Sequence, residues 1–202
     1  MSAGTEARFA EILRSALHSA ISAEQLAILW RHCQLLEKWN RVIGLTSIHS
    51  FEELVLRHYA ESVLAAGYVS RGTSQLADIG SGAGFPGFPI SVMRQEIEVT
   101  LIESSQRKAA FLRECSDLVK NLTIVNARAE DVQTHYDVIT ARAVRPSEVL
   151  ALIGRLAPAF VLLVGAEDSK AIAESKRFIC EPPIQIPWSE QTVILCGRAV
   201  LA

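Results

Sequence analysis

The sequence has no excess of charge of either sign. Its 202 residues carry 20 Lys and Arg against 22 Asp and Glu, a formal net charge of -2 with a pI near 6.2. A protein that grips nucleic acid by charge alone usually has a pI above about 9, so bulk electrostatic binding is not expected. Local bias is slight: residues 1–75 hold seven basic and seven acidic side chains, and residues 106–155 hold eight and six. Cysteine is sparse. Cys33, Cys115, Cys180 and Cys196 form no C-x-x-C pair and read as reduced, small hydrophobes. The five histidines show no metal-ligand spacing such as H-x-x-x-H, which argues against a metal site. A long hydrophobic run is also missing. The strongest candidate, Val149 to Ala166, is eighteen residues interrupted by Gly154, Arg155 and Pro158. A bilayer span needs about 20 continuous apolar residues, so this stretch reads as buried core and no membrane is expected. The first residues carry charges of both signs and no apolar h-region, so a cytoplasmic protein is expected.

What is present is core material. Half the residues are hydrophobic, 21% are charged, and the mean hydropathy is +0.23. The first 74 residues read as a helical extension. Phe9, Ile12, Leu13, Ala16 and Leu17 mark one face of a helix over 5–20. Ser22-x-x-Gln25 is a capping box opening a second helix, whose stripe runs from Leu26 to Trp39, with Trp30 and Trp39 read as core. Ser50-x-x-Glu53 opens a third, carrying Leu54, Arg57, His58 and Val63. From residue 75 to 202 the rhythm changes. Apolar runs at 75–80, 99–103, 122–126, 137–141, 159–165 and 192–197 alternate with helical windows at 86–95, 105–119, 147–156 and 168–178. Most of the runs lack polar alternation, as expected of parallel strands covered on both faces. The pattern predicts an α/β, Rossmann-like doubly wound sheet, one compact unit preceded by helices. Three prolines between 181 and 188 predict an irregular or antiparallel end to the sheet.

The sharpest motif is DIGSGAGFPG at 78–87, between the first strand and the next helix. Gly82-x-Gly84-x-x-Gly87 matches a dinucleotide fingerprint, with Glu103 as the acidic residue of the following strand. Three features weigh against a dinucleotide. Asp78 puts negative charge just before the loop, Pro86 removes an amide donor from a phosphate cradle, and no Tyr-x-x-x-Lys follows. S-adenosylmethionine carries no phosphate and suits these residues better. Asp78 matches its cationic amino-acid end, Glu103 its ribose hydroxyls, and Ala129, Glu130 and Asp131 can bracket the adenine.

The run DIGSGAGFPGFPISV, preceded by WNRVIGLTSI and LVLRHYAESV and followed by LIESSQRKAAFLREC, ARAED and DVITARAV, resembles the ribosomal RNA small subunit methyltransferase G family, also called glucose-inhibited division protein B. The resemblance covers about residues 35 to 165. It implies a class I S-adenosylmethionine-dependent methyltransferase that methylates guanine N7 in the decoding-region loop of 16S rRNA, with the rRNA or the 30S subunit as partner and a monomer as the expected state. By matching motifs, it implies cofactor contacts at Gly80, Gly82, Phe85, Glu103, Ala129, Glu130 and Arg142. The sequence departs from the family at Gly44, where Asn is usual, and at Val164, where Lys commonly precedes the glycine of the fifth strand. Basic residues near the carboxy terminus are also thin. These departures are expected to touch RNA-facing or site-lining positions, which keeps a small-molecule methyltransferase, or a non-catalytic module of the same fold, as the alternative.

Guanine N7 is a lone-pair nucleophile with no proton to lose, so no general base and no catalytic residue is expected. Donors aimed at guanine O6 or N7 would select the base, and Arg is the usual partner of that edge. Arg142 and Arg145 follow the fourth strand, at the end of the sheet where doubly wound folds bind ligands. Arg57, His58 and Asn40 are candidates to line the substrate side, Asn40 alternatively as a helix C-cap. Arg107 and Lys108 are candidate phosphate contacts.

Overall fold

A computed structural model describes residues 5–17 and 20–200. Helix α1 (Glu6–Leu17) buries Phe9, Ile12 and Leu13; of the remainder expected for it, residues 18–19 lie outside the described residues and Ala20 is not helical. Helix α2 (Ala23–Ile43) opens on the expected capping box. The Ser22 hydroxyl accepts from the Gln25 amide at 3.1 Å, and the Gln25 side chain accepts from the Ser22 amide at 2.9 Å. It stops at Gly44, whose φ of 63° and ψ of 66° form a left-handed C-cap. The third helix is continuous but not regular. α3 (Phe51–Leu54), capped by Ser50, runs into a π-helical turn at Val55–Ala60 and then α4 (Glu61–Ala66). The hydrophobic periodicity does not announce that turn, and it carries Arg57 and His58.

The α/β unit follows as β1 (Gln75–Ile79), α5 (Gly87–Met93), β2 (Glu98–Ile102), α6 (Gln106–Ser116), β3 (Leu122–Val125), β4 (Val138–Arg142), α7 (Pro146–Leu150), β5 (Ala159–Gly165), α8 (Ala166–Glu174), β6 (Phe178–Cys180), β7 (Ile184–Gln185) and β8 (Thr192–Ala199). The sheet order is β3-β2-β1-β4-β5-β8-β6, with β7 also paired to β8. β3, β2, β1, β4 and β5 are mutually parallel, while β8 runs antiparallel to β5, β6 and β7. The prolines of the last stretch separate β6 from β7 along one edge of β8, as the composition requires. α7 is shorter than the expected window: Gly154, at φ 88°, and its neighbours form turns instead.

Alternate residues of each strand face opposite layers. Leu76, Val99, Leu101, Val138, Val161, Leu163, Ile194 and Cys196 join the core under α1 to α6. Ala77, Ile79, Ile139, Phe160, Leu162 and Leu195 join the core beneath α7 and α8. The helical segment and the sheet thus share one hydrophobic core. Phe9 meets Tyr59 edge-on at 5.0 Å, and Tyr59 meets Phe85 of the glycine loop at 5.0 Å. Trp30 is half-buried against Phe9 and Phe51, and Trp39 packs on Phe111 while its indole donates to Glu114 at 2.6 Å. All four cysteines are free thiols, three of them buried. No helix among the described residues is long and apolar enough to cross a membrane.

One buried amide closes the turn between α5 and β2. Asn121 Nδ2 donates to the carbonyls of Ser91, Arg94 and Ile97 at 3.1, 3.3 and 2.8 Å. Asn121→Ala takes the side-chain donor from the buried Ser91 and Ile97 carbonyls, while that of Arg94 keeps the Ile97 amide, and the loss costs about 1–3 kcal/mol. Thermal unfolding of this variant is expected to show a Tm about 3–10 °C lower; an unchanged Tm would contradict the role.

Candidate functional site

Strand order reverses between β1 and β4, so the loops leaving their carboxyl ends diverge and open a crevice. Two cavities of about 490 Å³ each lie there. They share Gly80 and Val144 as a common wall. The first is lined by the loop 45–48, by Arg57, His58 and Glu61 of the third helix, by Gly80 to Ala83 and Phe85, and by Lys108, Arg142 and the ends of β5 and β8. The second is lined by Ile79, Ile102, Ser104, Ala127 to Glu130 and Leu152 among others.

The glycine loop is held from beneath by two carboxylates. Asp78 is fully buried, with Oδ2 accepting the Gly87 amide at 3.1 Å and Oδ1 left without a partner. Burial pushes its carboxyl up to about 7, against the pull of the Gly87 amide. Gly87 must be glycine, because a Cβ there would lie 2.3 Å from Leu101 Cδ2 and 2.7 Å from Asp78. Glu103 Oε2 accepts the Gly82 amide at 2.9 Å and Oε1 accepts the Ser105 amide at 2.7 Å. Four more amides are also spent. Gly80 and Ser81 donate to Ile102 O, and Gly84 and Phe85 donate to Ser81 O. The loop therefore offers no amide cradle to a pyrophosphate: among residues 80–87 the amides of 80, 81, 82, 84, 85 and 87 are all internally bonded, and Pro86 has none. Gly80, at φ 66°, packs against Val144, whose Cγ2 would lie 2.8 Å from a Cβ there. A glycine loop with its amides turned inward and nearby carboxylates fit a cationic, phosphate-free adenosyl ligand.

Arg142 is the hub of the first cavity. Its guanidinium, with a side chain 16% exposed, donates to the Arg57 carbonyl and to His58 Nδ1, lies 3.8 Å from Glu61 Oε2 and covers the Phe85 ring at 5.4 Å. His58 stacks on Phe85 at 4.6 Å and bonds through Nε2 to Thr46 Oγ1 at 2.9 Å. Burial, then the neighbouring Arg142 and Arg57, push His58 down to about 2, so the ring is neutral. Burial raises the Glu61 carboxyl, opposed by Arg142. Beneath the loop, His32 stacks on Phe88 at 4.2 Å and pairs with Tyr59 Oη at 2.8 Å, and burial brings it down to about 3.

The structure distributes the expected residues unevenly. Gly80, Gly82, Phe85 and Arg142 line the first cavity, while Gly80, Ala129 and Glu130 line the second. Asp78 and Glu103 line neither; both lie under the loop and bind its amides. Arg57, His58 and Lys108 line the first cavity. Asn40 does not: its carbonyl accepts the Gly44 amide and its Oδ1 accepts the Thr46 amide at 2.8 Å, so it shapes the loop that follows. Arg107 is exposed outside both cavities, and Arg145, 83% exposed, pairs with Glu148 at 2.6 Å. Gly44 is not site lining but a cap, where Asn and Gly are the two residues that accept the left-handed conformation, so this departure is conservative. Val164 does line the first cavity. Thr46 and Glu61 escaped the sequence reading. Glu61 lies three residues beyond His58 along one helix, a usable signal; Thr46 sits in a loop with none.

This sheet order and loop define the fold of class I S-adenosylmethionine-dependent methyltransferases. Magnesium protoporphyrin IX methyltransferase from Synechocystis PCC 6803, solved with bound S-adenosylmethionine, superposes with a TM-score of 0.62 over 90% of this chain and 99% of its own, at 12% identity, a likeness of fold. The family model of rRNA small subunit methyltransferase G matches residues 25–179, and the chain belongs to that family. It is 40% identical over 154 residues to ribosomal RNA small subunit methyltransferase G of Roseiflexus castenholzii, a match spanning 71% of this chain and 66% of that protein. It is 34% identical to that of Xanthomonas campestris pv. campestris over 85% of both.

His32 supplies a stability test. Its folded value near 3 lies below the 6.5 of an unstructured histidine. Between those values the unfolded chain binds a proton that the folded chain refuses, so stability is full above 6.5 and falls as pH drops through the window. His32→Phe removes this group, and its unfolding free energy is expected to fall less steeply between pH 6.5 and 4, by up to about 1.4 kcal/mol per pH unit. Parallel slopes in chemical denaturation of the two proteins would refute this.

Proposed function

We propose that this chain transfers a methyl group from S-adenosylmethionine to N7 of a guanine in the decoding-region loop of 16S rRNA, acting in the cytoplasm on the rRNA or the 30S subunit. The observation that carries this reading is the pair of cavities meeting at Gly80 and Val144, one walled by Ile79, Ile102 and Leu152 with the carboxylates of Glu130 and Glu148, the other by Arg57, Lys108 and Arg142 beside Glu61. Family membership supplies the substrate class. Ala129, Glu130 and Gly80 would hold the adenosine end, with Glu103 and Asp78 keeping the loop in shape beneath it, and Gly82, Phe85 and Arg142 would hold the methionyl end. When bound, S-adenosylmethionine supplies an electrophilic methyl on its sulfonium. Guanine N7 needs no proton removed, and the neutral His58 and the donor-only Arg142 provide no base. The chain acts by holding the base in line, an orientation effect worth about 7–11 kcal/mol. Arg57 and Lys108 face the base side, while Arg107 and Arg145 lie outside the cavities, where RNA phosphates can reach them.

Labelled methyl transfer to 30S particles and to naked 16S rRNA, with N7-methylguanine mapped, is the direct test. Transfer to one of them supports the reading; transfer to neither, together with turnover of a small molecule, overturns it. Glu103→Ala frees the Gly82 and Ser105 amides and is expected to weaken S-adenosylhomocysteine binding about tenfold, a loss of about 1.4 kcal/mol, in a chain that remains folded. Calorimetric binding equal to the parent would remove Glu103 from the cofactor site.

A further inference from the structure

The hydroxyl of Thr46 ends a hydrogen-bond chain that runs in only one direction. A guanidinium can only donate, so Arg142 donates to His58 Nδ1. A neutral imidazole that accepts at Nδ1 carries its proton on Nε2, and Nε2–H therefore donates to Thr46 Oγ1 at 2.9 Å. The Ile48 amide donates to the same oxygen at 3.2 Å. Both lone pairs of the hydroxyl are then occupied. Its single hydrogen has no acceptor among the described residues, and Thr46 lines the first cavity. The side chain is a fixed donor with no accepting capacity left, polarised by the guanidinium two bonds upstream. Asn40 Oδ1, on the Thr46 amide, and the Gly44 cap hold the loop that presents it.

We propose that Thr46 Oγ1–H is the donor that reads the 6-carbonyl of the target guanine. The inference rests on the function proposed above and names the contact that selects the base. A nucleophile must keep its lone pair, so no donor can bond N7 while it attacks; the selecting contacts must fall on neighbouring atoms. Guanine presents an acceptor at position 6 and donors at N1 and N2. Adenine presents an amino group at position 6, and a hydroxyl whose lone pairs are filled has nothing to accept it with. The same cavity carries the complementary acceptor in Glu61, a carboxylate with a side chain 2% exposed and Oε1 without a partner. A cofactor carboxylate would instead be met by Arg142, at the methionyl end.

The test uses full-length protein and 16S rRNA carrying either guanine or 2-aminopurine, which lacks the 6-oxygen and the N1 hydrogen, at the position methylated by the parent, so the Thr46 contact is read from how the two changes combine. Thr46→Val removes the hydroxyl at constant shape, and Thr46→Ser restores it. The parent is expected to lose about 10–100-fold in kcat/KM on the 2-aminopurine RNA. Thr46→Val is expected to lose a comparable factor on guanine RNA but little more on 2-aminopurine RNA, and Thr46→Ser to recover most of the loss. Binding of S-adenosylhomocysteine by calorimetry is expected to stay within about threefold in all three. Equal losses on both RNAs would make Thr46 merely structural and overturn the proposal. Weakened S-adenosylhomocysteine binding would assign the hydroxyl to the cofactor and overturn it too, as would a fully active Thr46→Val. A parent that methylates no RNA defeats the functional reading itself, and this inference falls with it.

Discussion

Asp78 leaves β1 with its carboxylate sealed beneath the glycine loop, and the loop keeps its form because the protein's own acceptors claim nearly all of its amides. Oδ2 takes the Gly87 amide, Glu103 takes that of Gly82, and Ile102 O and Ser81 O take four more. Burying a carboxylate is costly, and here the cost shows as a carboxyl pushed up to about 7. What the arrangement secures is a loop that approaches a ligand with carbon and carbonyl rather than amide. That surface is poor for phosphate and suited to a sulfonium nucleoside.

The second constraint joins the sheet to the helical segment. Arg142 is the last residue of β4, and its guanidinium ends on the π-helical turn at the Arg57 carbonyl and at His58. A π turn widens the helix by one residue, a device found at functional sites. Here it carries the Arg57 carbonyl and the His58 ring that Arg142 binds. Phe85 lies against both, so the loop, the fourth strand and the third helix meet in one cluster. The helices are therefore part of the site. They and the loop between them supply Thr46, Ser47, Arg57, His58 and Glu61, half of the polar side chains that line the first cavity.

Much of this was legible beforehand. The apolar runs at 75–80 and 159–165 became β1 and β5 nearly residue for residue, because a strand buried on both faces needs little but continuous hydrophobicity, and the run at 122–126 became β3, the half-exposed edge strand. The capping box at Ser22 is a local hydrogen-bond pattern and formed as written. The site was less legible. Asp78 and Glu103 read as ligand contacts because they flank the glycines, yet both turned inward, since unsatisfied loop amides offered them nearer partners than solvent did. Gly44 read as a lost site residue and is a helix cap.

Local chemistry alone, then, determined the order of the parallel strands and their helices, the glycine loop, the resemblance to the family, and the end of the sheet at which a ligand would bind. These depend on spacing and residue type along the chain. Only the tertiary structure decided which polar groups face the crevice and in which direction their hydrogens point. Arg142 and His58 are 84 residues apart, and Thr46 lies a further 12 from His58. No periodicity links them. The donor at Thr46 exists only because a guanidinium, brought there by β4, forces the tautomer of the histidine between them.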